Sequence, residues 1–133
     1  MIHRVSILVL LALAFVAPLI AAEPVASGEW SKKSFRIDGS WQIVDEGGSL
    51  WVVLDDSFKT KKAPDLKLFL SPKSLAEVGN RNATDGSVLI APLDSNRGAQ
   101  RYAIPKGTDL AAFQTLLIHC EKYSKLWGGA ALE

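Results

Sequence analysis

Apolar and polar positions alternate along most of this chain, and the alternation predicts short strands broken by turn residues. Residues 28–36 alternate weakly around Trp30 and Phe35, and residues 40–44 carry Trp41 and Ile43 two apart. Residues 50–54, L-W-V-V-L, are continuously apolar and rich in β-branched and aromatic side chains, the pattern of a strand buried on both faces. Asp38-Gly39 and Asp45-Glu46-Gly47-Gly48 lie between these runs and are strong turn signals. The first part of the domain is therefore predicted to be a three-stranded antiparallel meander.

Further strands are expected at residues 66–70 (L-K-L-F-L), 88–90 and 99–104, closed by Pro72, Pro92 and Pro105. Residues 72–78 have the composition for one or two helical turns, and Thr108 is a plausible cap for another through Leu110. The C-terminal stretch is ambiguous. Leu110, Phe113, Leu116, Leu117, Cys120 and Trp127 fall on one face at helical spacing, so periodicity alone predicts a helix over 109–126. The alternative is a strand over 114–120, with Leu116, Ile118 and Cys120 on one face and Thr115, Leu117 and His119 on the other. The strand-dense chain before it favours the strand, followed by a last short strand at 130–132. The predicted fold class is all-β: an antiparallel β-sandwich of seven to eight short strands with one or two short helical turns.

The N-terminus has a different pattern. A basic start with Arg4, an apolar run over 5–17 and small residues at Ala21-Ala22 give the layout of a secretory signal peptide at 1–22. The run is short for a membrane span, so no stable membrane insertion is expected after cleavage. Ile20 is larger than an ideal cleavage site carries, which keeps an uncleaved anchor as the alternative. Residues 23–27 are expected as a linker and 28–133 as one domain, placed in the periplasm, at the cell surface or in the secreted fraction. Losing Arg4 leaves 14 basic against 14 acidic residues, and a neutral domain is not built to grip nucleic acid through its phosphates. Lys59-Thr60-Lys61-Lys62 is most simply a solvated loop, with docking of an acidic partner as the alternative.

Candidate chemistry concentrates on one sulfur. Cys120 is the only cysteine, His119 is the only histidine besides His3, and the only methionine is Met1. No internal disulfide can form, and too few soft ligands remain for a closed zinc or copper site. Neighbouring strand residues face opposite ways, which also argues against a Cys–His catalytic dyad. No C-x-x-C-H is present, so covalent c-type haem is excluded. Cys120 is thus either a small core side chain or a redox thiol, with Lys122 and Lys125 near it in sequence and Glu121 opposing them. Asp55-Asp56 is a carboxylate pair at a strand end and reads as a solvated turn. Trp41 and Trp51 read as core, and Trp30 is the least committed of the tryptophans.

Several spaced motifs fit one family. They are Gly28 with Trp30, Asp38-Gly39-Ser40, and Ala63-Pro64-Asp65 with the strand after it. The set continues with Gly98-Ala99-Gln100-Arg101-Tyr102-Ala103-Ile104-Pro105, then Leu117-Ile118-His119-Cys120 with Tyr123, Trp127-Gly128 and Ala130. In this order they resemble the DM13 electron-transfer domain, found beside DOMON domains in Skeletor-like proteins and as small exported bacterial proteins. The resemblance implies an all-β domain with a characteristic cysteine, here Cys120, serving redox chemistry as a bare thiol or through a group such as haem. It implies a redox partner protein. His119 stands where the family usually has an aromatic, and would add a polar or ligating group beside Cys120 or sit on the solvent face. Tyr123 replaces the usual phenylalanine. The competing expectation is a non-catalytic extracytoplasmic binding module in which Cys120 is structural.

Overall fold

The computed structural model describes residues 11–14 and 23–133. The expected signal peptide at 1–22 lies outside the described residues except for 11–14, which take no regular secondary structure. In chain order the strands are β1 (Glu23–Glu29), β2 (Ser31–Lys32), β3 (Ile37–Asp38), β4 (Ser40–Glu46), β5 (Ser49–Leu54) and β6 (Lys59–Thr60). They continue with β7 (Leu66–Ser71), β8 (Val88–Pro92), β9 (Gln100–Ala103), β10 (Thr115–Cys120) and β11 (Lys125–Ala131). One 3₁₀ turn, Leu110–Ala112, precedes β10 and is capped by the Asp109 carboxylate, not by Thr108. The all-β prediction holds. The strands beyond the expected seven or eight include the two-residue pieces β2, β3 and β6.

Two antiparallel sheets face each other. One has the order β1-β4-β5-β9 and the other β2-β11-β10-β7-β8, with β3 and β6 as a separate ribbon. Trp41, Ile43, Val52, Leu54 and Tyr102 from the first sheet meet Leu68, Leu70, Leu116, Ile118, Cys120 and Trp127 from the second in one apolar core. The second and third strands of the predicted meander are present as β4 and β5, but the first is not: of residues 28–36, only 28–29 belong to β1, 31–32 form β2 in the other sheet, and the strand beside β4 is β1, which starts at Glu23. Gly47 and Gly48 close the β4–β5 hairpin with φ of 60° and 90°, the mirror-image turn that suits the right-handed twist of paired strands.

Several local expectations change. Residues 23–27, expected as a linker, belong to β1 and pair with β4, because the backbone ladder needs only N–H and C=O groups and an edge strand tolerates Pro24. The β5 run is fully buried on one face only, through Val52 and Leu54. Trp51 and Val53 point to the outer face, so Trp51 is not core. The Arg101 guanidinium lies 4.1 Å over the Trp51 ring and is held there by Glu46 at 2.7 Å. Residues 72–78 form hydrogen-bonded turns rather than a helix. They open an excursion over 72–87 that covers the far face of the second sheet, where Phe69, Val78, Ala83, Leu117 and Leu126 make a smaller apolar cluster.

Candidate functional site

The site is built on β10, and its strand form settles the ambiguity of the C-terminal stretch. It lies between β7 and β11, with Cys120 opposite Leu66 on one side and Lys125 on the other. Both faces are covered: the opposed sheet buries Leu116, Ile118 and Cys120, and on the far face, where the 72–87 excursion packs over Leu117, His119 is buried as well. Every residue of β10 is buried. The expected division of its faces is therefore present, and Cys120 and His119 point away from each other.

Cys120 ends the strand with its side chain in the inter-sheet core and no exposure to solvent. The exposed turn 121–124 follows at once, with Ser124 at φ 48° and Tyr123 58 % exposed. Larger surface depressions lie elsewhere. One of about 390 Å³ sits between residues 62–66 and 92–96, and one of about 380 Å³ lies beside Trp51 and Pro105. Neither is lined by Cys120 or His119. The sulfur is enclosed by core side chains and His119 faces the other way, so the residues as placed do not fit a haem held by the pair.

His119 is 3 % exposed, which corrects the alternative that it sits on a solvent face. It shares the far face of the second sheet with Leu117, and its ring meets Phe69 edge-on at 6.1 Å between centroids. Its Nδ1 is buried with no hydrogen-bond partner. Burial pushes its pKa below the ordinary 6.5, and the carboxylates of Glu121 and Asp65 oppose that only in part. Lys67 draws both of those carboxylates into an ion-pair cluster. The folded chain therefore resists a proton that the unfolded chain accepts near pH 6.5. Stability is full above that pH and falls as the pH drops toward the depressed value. Urea midpoints measured at about pH 7.5 and about pH 5 should differ more for the wild type than for His119→Phe. An equal pH dependence would remove His119 as the titrating group.

One constellation escaped the sequence reading. At Trp127 the β10–β11 ladder slips by one residue, so Ile118 faces Gly128 while His119 faces Leu126. The bulged Trp127 turns its carbonyl to three successive amides, Lys33, Ser34 and Phe35, at 3.0–3.2 Å. That wraps residues 33–35 around it and lays the Phe35 ring 4.3 Å from the Trp127 ring. The Trp127 indole N–H donates to the Lys61 carbonyl at 3.1 Å, and the Lys61 ammonium lies 4.7 Å from the Phe35 centroid. Lys125 approaches the same ring at 5.8 Å. The basic run 59–62 was the only sequence signal for this arrangement, and nothing in it names Phe35 as its partner.

The remaining candidates are structural. The Asp55 carboxylate accepts from the amides of Ser40 and Ser57, which makes it a turn-former; Asp56 is exposed. Trp30 packs beside Trp41, with ring centroids 6.3 Å apart. Among the described residues, no three His, Cys, Asp or Glu side chains converge on a point that could hold a metal.

A family model described as electron transfer DM13 matches residues 30–132, from just after β1 to just after β11. The chain belongs to the DM13 family. The match takes in Cys120, the bulged Trp127 and the Phe35–Lys61 contact, while β1 lies ahead of it and completes the first sheet as an edge. No curated protein and no solved structure matches this DM13 chain.

Proposed function

We propose that this DM13 chain is an exported electron-transfer accessory domain that exchanges electrons with a partner protein through Cys120, with no substrate turnover of its own. The observation that carries the reading is the family match over a domain with a single sulfur once residues 1–22 are removed. Cys120 sits at the end of a central strand, next to an exposed turn and inside the core that also holds Trp127. Enclosure keeps adventitious thiols and oxidants off the sulfur, because thiol reactions need access. In support of export, β1 begins at Glu23, so cleavage after Ala22 leaves every paired strand intact.

A second reading has its own observation. A sulfur with zero exposure also suits a cysteine that only fills the core of a binding module. Voltammetry of the purified domain with soluble mediators separates the two. The electron-transfer reading expects a reversible response in the wild type that disappears in Cys120→Ala, while circular dichroism shows both folded. Identical responses in the two proteins would leave the binding module standing. The export half is checked by the intact mass of protein made with its own N-terminus. Material beginning at Glu23 is expected, and an unprocessed chain anchored in the membrane fraction would overturn it.

A further inference from the structure

We infer that the basic surface around Phe35 is the docking face for the partner, and that the partner presents a carboxylate-rich protein surface there. That the partner exchanges electrons rests on the function proposed above; the docking chemistry does not.

Charge segregation carries the argument. The domain is neutral overall, yet Lys61 and Lys125 hold two ammonium groups over the same half-buried ring, at 4.7 and 5.8 Å from its centroid. The ion pairs among the described residues are Arg36 with Asp38, Lys67 with Asp65 and Glu121, and Arg101 with Glu46. None of them neutralises Lys59, Lys61, Lys62 or Lys125. Like charges gathered on one face repel and lower stability unless something opposite meets them. A depression of about 340 Å³ adjoins the ring, lined by Phe35, Arg36, Asp38, Lys59, Thr60 and Lys61. Its one carboxylate, Asp38, is already taken by Arg36 at 2.5 Å.

The cations are also held in place. Between the exposed Lys59 and Lys61, the buried Thr60 donates its hydroxyl to the Arg36 carbonyl at 2.8 Å. Its amide and carbonyl are both engaged by Asn96, each at 2.9 Å. The Lys61 carbonyl takes the Trp127 indole N–H. A backbone pinned at successive residues presents its charges with little ordering left to lose on binding. Position adds a reason. Lys125 pairs across the hairpin with Cys120, and Phe35 packs against Trp127, which shares the inter-sheet core with the sulfur. A partner seated on Phe35 lies over the strand pair that carries the redox candidate. A protein surface is favoured over a lipid one because the aromatic at the centre is half-buried. Of the exposed large apolar side chains in the domain, Val25 and Leu89 belong to other strands and only Tyr123 lies near this face, too little apolar surface to insert into a bilayer.

The test is amide chemical-shift mapping of the ¹⁵N-labelled domain with an oligo-aspartate peptide, and separately with vesicles of phosphatidylglycerol and phosphatidylcholine. Saturable shifts confined to residues 33–37, 59–62 and 124–127 are expected. They should weaken about tenfold in the Lys61→Glu/Lys125→Glu double variant and fade as salt rises to about 0.2 M. Lys106→Glu, one such charge reversal outside this depression, should leave the peptide affinity within about twofold, where Lys61→Glu alone already weakens it measurably. Absent or scattered shifts, or equal weakening by Lys106→Glu, would overturn the docking face. Vesicles that shift the same residues while the peptide does not would overturn the protein partner in favour of an anionic membrane. Cys120→Ala should bind the peptide as the wild type does. A silent Cys120 with intact docking therefore sinks only the redox reading, and lost docking with a live Cys120 sinks only this one.

Discussion

Replacing Trp127 with alanine is expected to remove about 3–5 kcal/mol of stability, the usual cost of truncating a large buried aromatic. The side chain is 3 % exposed and spans two functions of the fold. Its body fills the core between the sheets and packs against Phe35, the tilted rings 4.3 Å apart between centroids. Its indole N–H is the donor that holds the Lys61 carbonyl at 3.1 Å. Truncation leaves a cavity and a carbonyl without its donor at once, in a domain of a size whose whole stability is about 5–15 kcal/mol. Trp127→Phe separates the terms. It keeps most of the volume, so its main loss is the donor, for about 1–3 kcal/mol if the freed carbonyl stays buried. Urea unfolding followed by circular dichroism measures both. The Phe35 and Lys61 resonances should also shift in the alanine variant, because Lys61 loses its anchor and Phe35 its floor. A loss below about 1 kcal/mol for Trp127→Ala would mean that the bulge does not seat the indole in the core.

How far the fold was legible depended on whether each strand had one face or two to bury. β4 alternates because its inward Trp41 and Ile43 differ from the exposed Gln42, and it was readable at once. β10 is covered on both sides, so it lost the alternation that marks a strand and kept apolar residues at every spacing, helical spacing included. Only the strands around it favoured the right answer. The opposite error occurred at β5, where an apolar run suggested two buried faces. Trp51 is instead roofed by Arg101, a long-range partner that local pattern cannot supply. The division of His119 from Cys120 followed from strand geometry alone. The burial of His119 did not, because the Phe69 ring it packs on lies 50 residues upstream, on a sheet face that nothing in the local pattern marks as covered. The Phe35–Lys61–Lys125 cluster was hidden for the same reason: its members lie on three separate segments and meet only because Trp127 bulges.

Gly39→Ala should be about as damaging as the loss of Trp127, although it adds a single methyl group. Gly39 joins β3 to β4 with φ at 94°, a conformation that L side chains rarely adopt. There is also no room. A Cβ there would stand 2.6 Å from Asp55 Oδ1 and 2.8 Å from the Phe58 backbone nitrogen. Those atoms cannot step aside cheaply. The Asp55 carboxylate holds the Ser40 and Ser57 amides at 3.0 and 3.1 Å, the Phe58 amide donates to the Asp55 carbonyl at 3.2 Å, and the Phe58 side chain is fully buried. Backbone strain of about 1–3 kcal/mol and overpacking of about 1–3 kcal/mol therefore act together. Gly48→Ala isolates the first term, since Gly48 has φ 90° but no atom within 4 Å of the added carbon. Its urea midpoint should fall by the strain alone, and the midpoint of Gly39→Ala by clearly more. Equal shifts in the two variants would show that the 55–58 turn yields. Asp55 would then not hold the start of β4 and the 55–58 turn rigidly together.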